Sequence, residues 1–528
     1  MEKKTLLAII ISIAILLIWD LLVIQPRKDE TPQEVTGVEE TAKPEITSPI
    51  LKIPGLESTP PIISDEETIV AETPLYRATW DTKGGRLISV KLKKYKESMD
   101  EDASFVEVIK TPMPTVNLNE ELLDTELIYT SSQKGTLTSQ DAPLKVTMSA
   151  QAAQGITIHK IYTLDPKKYT IEYLSVIENT TNERMTLNVS MLLDDLYPLD
   201  DKGKRYIFEG PVLLNGKRLE EFKISKVKKV GAYREFSGEI NWFGFEDKYF
   251  LKAVIPKNPV ETMLNIKRID DNIIRLHYGS LPAVIEPGSQ YVNDYLIFIG
   301  PKELETLKES GYGLKKALDF GFFDLIAKPM LMAMNWIYSF THSYGWSIII
   351  LTIIIKILLY PLTLKSFTSM KGLQKIQPLM KEIQAKYKDD KQKLNQEMMK
   401  LYSDHKINPM GGCLPMLLQI PILFALYRVF FSAIELRHTP FYIVGTWLPD
   451  LSAKDPYFIT PILMGLSQFV MQKMTPSTGD ATQQKVMLFM PVFFTILFLS
   501  FPSGLVIYWL VSNVLSIAQQ AYINRKDS

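Results

Sequence analysis

Lys356 sits inside an otherwise apolar run of 19 residues, 346–364 (WSIIILTIIIKILLYPLTL), and is its only charged residue. At about 1.5 Å per residue, a helix of that length crosses a hydrocarbon layer roughly 30 Å thick, which places the ammonium near mid-depth. An ionisable group there costs roughly 2.5 to 3.5 kcal/mol on insertion scales and by default faces water, a partner or a substrate. Thr352 and Tyr360 stand four residues to either side, on the same helix face, with Thr363 close by. Sparser polar stripes recur in later apolar stretches: Gln419, then Gln468 and Gln472, then Tyr508, Ser512 and Ser516. Neutral hydrogen-bonding groups around one cation do no covalent chemistry. They line a wet groove that lowers the cost of bringing a polar or acidic segment into a bilayer. Ser, Thr and Gln also join helices in ordinary bundles, so the groove reading rests on the charge. The competing structural reading is a lysine paired with a carboxylate, but the later runs carry no Asp or Glu at comparable depth.

Positioning these residues requires membrane helices. Six apolar stretches qualify: 6–24 within a first span of 1–24, then 346–364, 415–436, 457–472, 486–501 and 503–521. The first follows MEKK, is longer than a secretory signal core and lacks a small-x-small cleavage pattern, which predicts a retained anchor. The stretch 457–472 is short and is expected to be interrupted by Pro461. Lys3 and Lys4, ten lysines between 365 and 406, Lys473, Lys485, Arg525 and Lys526 all fall on one side. Positive charge stays cytoplasmic, so six spans are expected with both termini inside and 25–345 outside.

The average composition conceals two halves. Basic and acidic residues balance at 59 each, and the mean hydropathy is +0.02. No DNA partner is expected. Residues 25–67 are rich in Pro, Glu and Thr and read as a disordered linker. From 68 to 318 the hydrophobic period is two. Ile88, Val90 and Leu92 alternate with Ser89, Lys91 and Lys93, and Leu187, Val189 and Met191 with Asn188 and Ser190. Turn signals at Gly84-Gly85, 179–182 and Pro287-Gly288 separate the runs. The expected fold is therefore a multi-span α-helical membrane bundle of six transmembrane helices plus a large extracytoplasmic antiparallel β-sandwich. Cys413 is the only cysteine, so this outer domain must be held by its own core and not by an intramolecular disulfide. His159 and His277 lie in separate strand-like stretches without a catalytic signature, and a sugar-processing site is set aside on that ground. No enzyme activity, metal or cofactor is expected.

Residues 319–345 carry Asp319, Asp324, Lys328 and Asn335 among aromatic and aliphatic residues, which predicts an interfacial amphipathic helix broken or kinked at Pro329. An equal alternative is a helix that only ties the sandwich to the bundle. The segment 365–408 has helical period on two faces: Leu379, Ile383, Lys386 and Tyr387, then Leu394, Met398, Met399 and Tyr402, with Asp389-Asp390 as the turn. This predicts a basic cytoplasmic hairpin whose Lys375, Lys381, Lys386, Lys388, Lys391 and Lys393 suit a ribosome, a client or anionic membrane lipids.

Four motifs in the membrane half carry a resemblance: YPLTLKSFTSMKGLQKIQP at 360–378, QEMMKLYSDHKINPMGGCLPMLLQIPILFALY at 396–427, DPYFITPILMG at 455–465 and FPSGLVIYWLVSN at 501–513. More loosely, so do DTKGG at 81–85, WFGFEDKYFLKAVIPKN at 242–258 and IFIGPKE at 297–303. The chain resembles the YidC/Oxa/Alb family of membrane protein insertases, in the long form of Gram-negative bacteria. That resemblance implies a five-span insertase core at 346–524 and an inner-membrane location. It also implies nascent membrane proteins as clients, taken alone or beside the Sec translocon, with chaperone activity. The family's groove cation is most often arginine. Lys356 matches it, keeping the sign but losing the bidentate fork. Thr352, Gln419 and Tyr508 match groove-lining positions, and Trp509 replaces a frequent second tyrosine. Only four residues follow the last span, so a long ribosome-holding tail is not expected. The alternatives from other classes are a lipid scramblase or small-solute transporter using the same groove, and a scaffold whose sandwich binds periplasmic partners.

Overall fold

The computed structural model describes residues 46–47, 67–119, 122–152, 155–198, 208–227, 229–388, 390–405, 414–442, 447–474 and 481–526. The expected anchor at 1–24 lies outside the described residues, as does 25–66 apart from 46 and 47. The chain divides into two compact units, one of Val35–Leu318 and one containing Asp319–Ser528.

The first unit is a β-sandwich. Its smaller sheet has five strands in the order Phe105–Glu107, Arg86–Lys96, Tyr76–Asp81, Thr68–Glu72, Gly135–Thr138. The larger has 15. One half of it runs Leu122–Leu123, Thr115–Leu118, Met185–Leu196, Ile273–Ile285, Glu261–Arg268, and the other Phe250–Pro256, Gln290–Pro301, Thr170–Asn179, Ile156–Leu164, Leu144–Ala152, Thr130–Ser131. The 14-residue strand Tyr233–Glu246 joins the halves, pairing through Tyr233–Glu239 with Glu261–Lys267 and through Phe243–Glu246 with Leu251–Val254. Alternation sets its faces: in Glu261–Arg268, Thr262, Leu264, Ile266 and Arg268 are buried between exposed Met263 and Lys267. Trp80 of the small sheet packs against Tyr162 of the large one at 5.5 Å, and the stack continues through Tyr173 and Tyr295. Such ring pairs add roughly 0.5–1.5 kcal/mol beyond area burial.

The pairing departs from the expected all-antiparallel pattern at two places. Thr68–Glu72 runs parallel to Gly135–Thr138, and Ile46–Thr47 runs parallel to Ala283–Val284. The second gives residues 46 and 47 of the expected linker an extended, strand-paired conformation. Strand Glu261–Arg268 stops pairing at Tyr278, which leaves Ala283 and Val284 with an open edge that Ile46–Thr47 fills.

Among the described residues, three charged pairs are buried in the core of this unit. Lys160 Nζ lies 2.5 Å from Asp124 Oδ2 and donates to Gly84 O at 2.6 Å. Asp124 also accepts from Val116 N and the Tyr129 hydroxyl, while Tyr162 donates to Gly85 O. The DTKGG turn is thus seated on a lysine and a tyrosine from the opposite sheet. Lys252 pairs with Asp195 at 2.7 Å. Glu246 Oε2 lies 3.4 Å from Lys302 Nζ, an ion-pair distance without hydrogen-bond alignment. Burial pushes the Glu246 carboxyl up to about 8 against the opposing pull of Lys302, with Glu221 and Asp247 adding to the rise. Gly244 of the same motif has no alternative, since a Cβ there would stand 2.0 Å from Lys252 O.

In the order of the chain, α1 (Leu304–Glu309) closes the first unit, and the second contains α2 (Asp324–Thr341), α3 (Tyr344–Lys375), α4 (Gln377–Lys386), α5 (Lys391–Asp404), α6 (Leu414–Ser432), α7 (Ile459–Met474), α8 (Ala481–Phe498) and α9 (Ser503–Lys526). Among the described residues, stretches of α3 (Tyr344–Leu373) and α9 (Ser503–Ile523) are long and apolar enough to cross a membrane, and Gln419–Ser432 and Leu488–Phe498 are shorter apolar helices.

Two proline expectations are corrected. Helix α2 runs on through Pro329, so the expected break is absent; the lost hydrogen bond falls on the carbonyl of Leu325, an 87 % exposed residue in the first turn of the helix. Pro461 does not interrupt a span. It is the third residue of α7, within the first turn, where backbone N–H groups have no intrahelical partner anyway. Asp455 organises that start: it accepts from Thr460 N at 2.7 Å, the Thr460 hydroxyl at 2.8 Å, Tyr457 N at 3.0 Å and Trp447 Nε1 at 3.3 Å.

Candidate functional site: a polar seam between apolar helices

Helix α3 carries Lys356 because a 32-residue sequence rich in Ile and Leu buries its backbone polar groups in its own hydrogen bonds and needs no other partner to cross an apolar layer. Its faces differ. Ile353, Ile354, Ile357 and Leu358 are exposed, whereas Ile348, Leu351, Thr352 and Ile355 are buried. Lys356 lies at the boundary, half-buried.

Helix α9 packs against both α3 and α7 and supplies most of the polar partners. Lys356 Nζ donates to Ser516 Oγ at 2.8 Å. One turn away, Gln419 Nε2 of α6 donates to Ser512 Oγ at 3.1 Å. Ser516 in turn donates to Ser512 O at 2.9 Å. Further along the seam, Asn513 Nδ2 donates to Ser467 Oγ at 3.1 Å, Trp509 Nε1 to Gln468 Oε1 at 3.3 Å, and Gln520 Nε2 to Met474 O at 2.6 Å. Among the described residues Lys356 makes no ion pair. Neutral oxygens do not cancel the charge of an ammonium, as a paired carboxylate would.

The structure thus brings together Lys356, Gln419, Gln468, Trp509 and Ser512. Tyr508 joins them through a side-chain hydrogen bond with Gln419, whereas Thr352 and Tyr360 are placed differently. Thr352 is 1 % exposed, and its hydroxyl donates back to Ile348 O at 2.6 Å. Tyr508 is buried beside them, and Tyr360 is 39 % exposed at the far end of the face. Trp509 gives an indole N–H where a tyrosine would give a hydroxyl, and its ring packs on Phe494 and Phe498 of α8. Ser467, Asn513 and Gln520 are seam residues that the single-helix stripes miss. The i, i+4 series Ser512, Ser516, Gln520 was the available signal.

At the end of α3 the chain turns at Ile376 into α4 and α5, which share a small core of Leu373, Ile376, Met380 and Leu401 with Ile383, Met398 and Tyr402 against it. The expected faces are shifted, because Leu379 and Met399 are exposed and Leu401 fills their place. Residues 365–375 continue α3 and do not start a new helix. Lys375, Lys381, Lys386, Lys388 and Lys393 are exposed. Lys386 and Lys393 both lie over the Tyr387 ring, at 5.5 and 5.6 Å. Lys371 Nζ donates to Ile523 O at 3.3 Å, tying this end of α3 to the last turn of α9.

Comparison with known proteins covers both units. Residues 68–333 match the model described as YidC periplasmic domain, and residues 336–528 match the one described as 60Kd inner membrane protein. A protein of Syntrophus aciditrophicus named membrane protein insertase YidC is 39 % identical, with 100 % of each chain covered. One of the same name from Geotalea daltonii is also 39 % identical, over 99 % of each.

Proposed function

Because the chain belongs to the YidC family of membrane protein insertases, we propose that its polar seam is the groove through which a client segment passes. It is a membrane protein insertase of the inner membrane, and its substrates are nascent membrane proteins. In the proposed mechanism the hydrophobic part of a client slides along the exposed apolar faces. Its short polar or acidic flank meanwhile crosses beside Lys356, Thr352, Tyr360, Gln419, Gln468, Tyr508, Trp509 and Ser512.

The observation that supports this most is the neutral setting of Lys356, whose ammonium is fixed by Ser516 at 2.8 Å. A carboxylate arriving about 4 Å from an ammonium gains roughly 4 kcal/mol at an effective dielectric of about 20, which offsets much of the cost of carrying it into the layer. Seam hydroxyls and amides supply the hydrogen bonds that water would otherwise give.

The finer arrangement belongs to the same proposal. The chain spans the membrane six times with both termini cytoplasmic. The 68–318 sandwich is periplasmic, and 319–345 lies in the outer interface. Exposed lysines of the α4–α5 hairpin meet the ribosome, the client or lipid headgroups, and larger clients are handled beside the Sec translocon.

Liposomes containing this protein alone, given a single-span substrate with an acidic translocated tail, test the reading by protease protection. Lys356→Arg is expected to insert it and Lys356→Glu to fail. Equal protection by the native chain and both variants would refute the charge mechanism.

A further inference from the structure

We propose that Ser516 is the positioning residue for the groove cation: it parks the Lys356 ammonium in the seam and yields it to an incoming acidic group. The inference rests on the groove reading above and adds a residue to it. Ser516 is 9 % exposed, and its own hydrogen is committed to Ser512 O at 2.9 Å. A hydroxyl whose proton is so directed presents its lone pairs outward, and Lys356 Nζ occupies one at 2.8 Å. The Ser512 hydroxyl, one turn away, receives Gln419 at 3.1 Å, which joins α6 to the same stretch of α9.

A lysine needs such a holder more than an arginine does. The ammonium is a point charge on four rotatable carbons, whereas a guanidinium is broad and finds partners in several directions. A carboxylate at 516 would hold Lys356 more tightly but would cancel its charge. A hydroxyl fixes the position and leaves the charge for the client. Exchange is then directional, because a client carboxylate replaces a neutral acceptor with a charged one.

The experiment is a double-mutant cycle in liposomes containing the full chain, using two single-span substrates that differ only in an acidic or an uncharged translocated tail. Ser516→Ala is expected to slow insertion of the acidic tail about tenfold, because the unheld lysine side chain must then be ordered at the seam from its free rotamers as the client arrives. It should spare the uncharged tail, and Ser516→Thr should restore the native rate. In a Lys356→Met background, Ser516→Ala should have no added effect. Equal slowing of both tails, or full additivity with Lys356→Met, would make Ser516 a packing residue and overturn the inference. So would a native rate for Ser516→Ala. If Lys356→Met itself inserts the acidic tail at the native rate, the groove reading fails and takes this inference with it.

Discussion

Raising the pH should loosen the sandwich through one side chain. Glu246 is 3 % exposed in strand Tyr233–Glu246, and its carboxyl is pushed up to about 8, chiefly by burial, from an ordinary 4.5. An acid whose folded value stands above its unfolded one favours the folded state while protonated. Its contribution is therefore complete below about pH 4.5 and is lost as pH rises through 8. Integrating between pH 5 and 9 gives a loss of about 4 kcal/mol, since each unit is worth about 1.4 kcal/mol. Glu246→Gln keeps the shape and removes the titration. In the full chain in nanodiscs, hydrogen-exchange protection factors of strand Phe250–Pro256, which pairs with Glu246 through Leu251, report the opening energy at each pH. The native chain should lose roughly a thousandfold in protection relative to Glu246→Gln over that range. Parallel curves for the two proteins would refute the argument and mean that Lys302 keeps Glu246 ionised throughout.

Two further outcomes follow from other buried charges. Lys160→Met strands Asp124, which is 1 % exposed, and should cost about 3–5 kcal/mol in opening of strand Ile156–Leu164, whereas adding Asp124→Leu should recover most of it. Asp455→Ala removes the acceptor for Thr460 and should cost about 1–2 kcal/mol, read as faster exchange in the first turns of α7, while insertion by proteoliposomes stays near the native level.

Much of this fold is legible in the sequence because burial imposes a local rhythm. The period-two runs at Ile88–Leu92 and Leu187–Met191 are strands, and the lysine-rich segment after α3 is a hairpin. A lone charge in an apolar run likewise marks Lys356 without further help. The unread part is whatever depends on a neighbour distant in sequence. Ser467 joins the seam only through Asn513 of another helix, and the parallel pairing of Ile46–Thr47 depends on where strand Glu261–Arg268 stops. Proline behaves the same way: Pro329 and Pro461 are tolerated because of where they fall along their helices, which residue type alone does not reveal. Lys160 sits in ITIHKIYTL, a stretch that reads as a half-exposed strand until Asp124 and Gly84 meet the ammonium from the other sheet.

Strand Gln290–Pro301 is the last of the sandwich in the chain, yet it lies between Thr170–Asn179 and Phe250–Pro256. Until it arrives, the strands on either side present open edges, and one half of the large sheet has no middle. Long-range closure of this kind is slow and leaves partly formed edges exposed. During synthesis the keystone emerges only just before α2 and the bundle. Closure of the sandwich therefore waits until nearly all of the first unit has been made, and the helices of the second unit are the next segments to follow it.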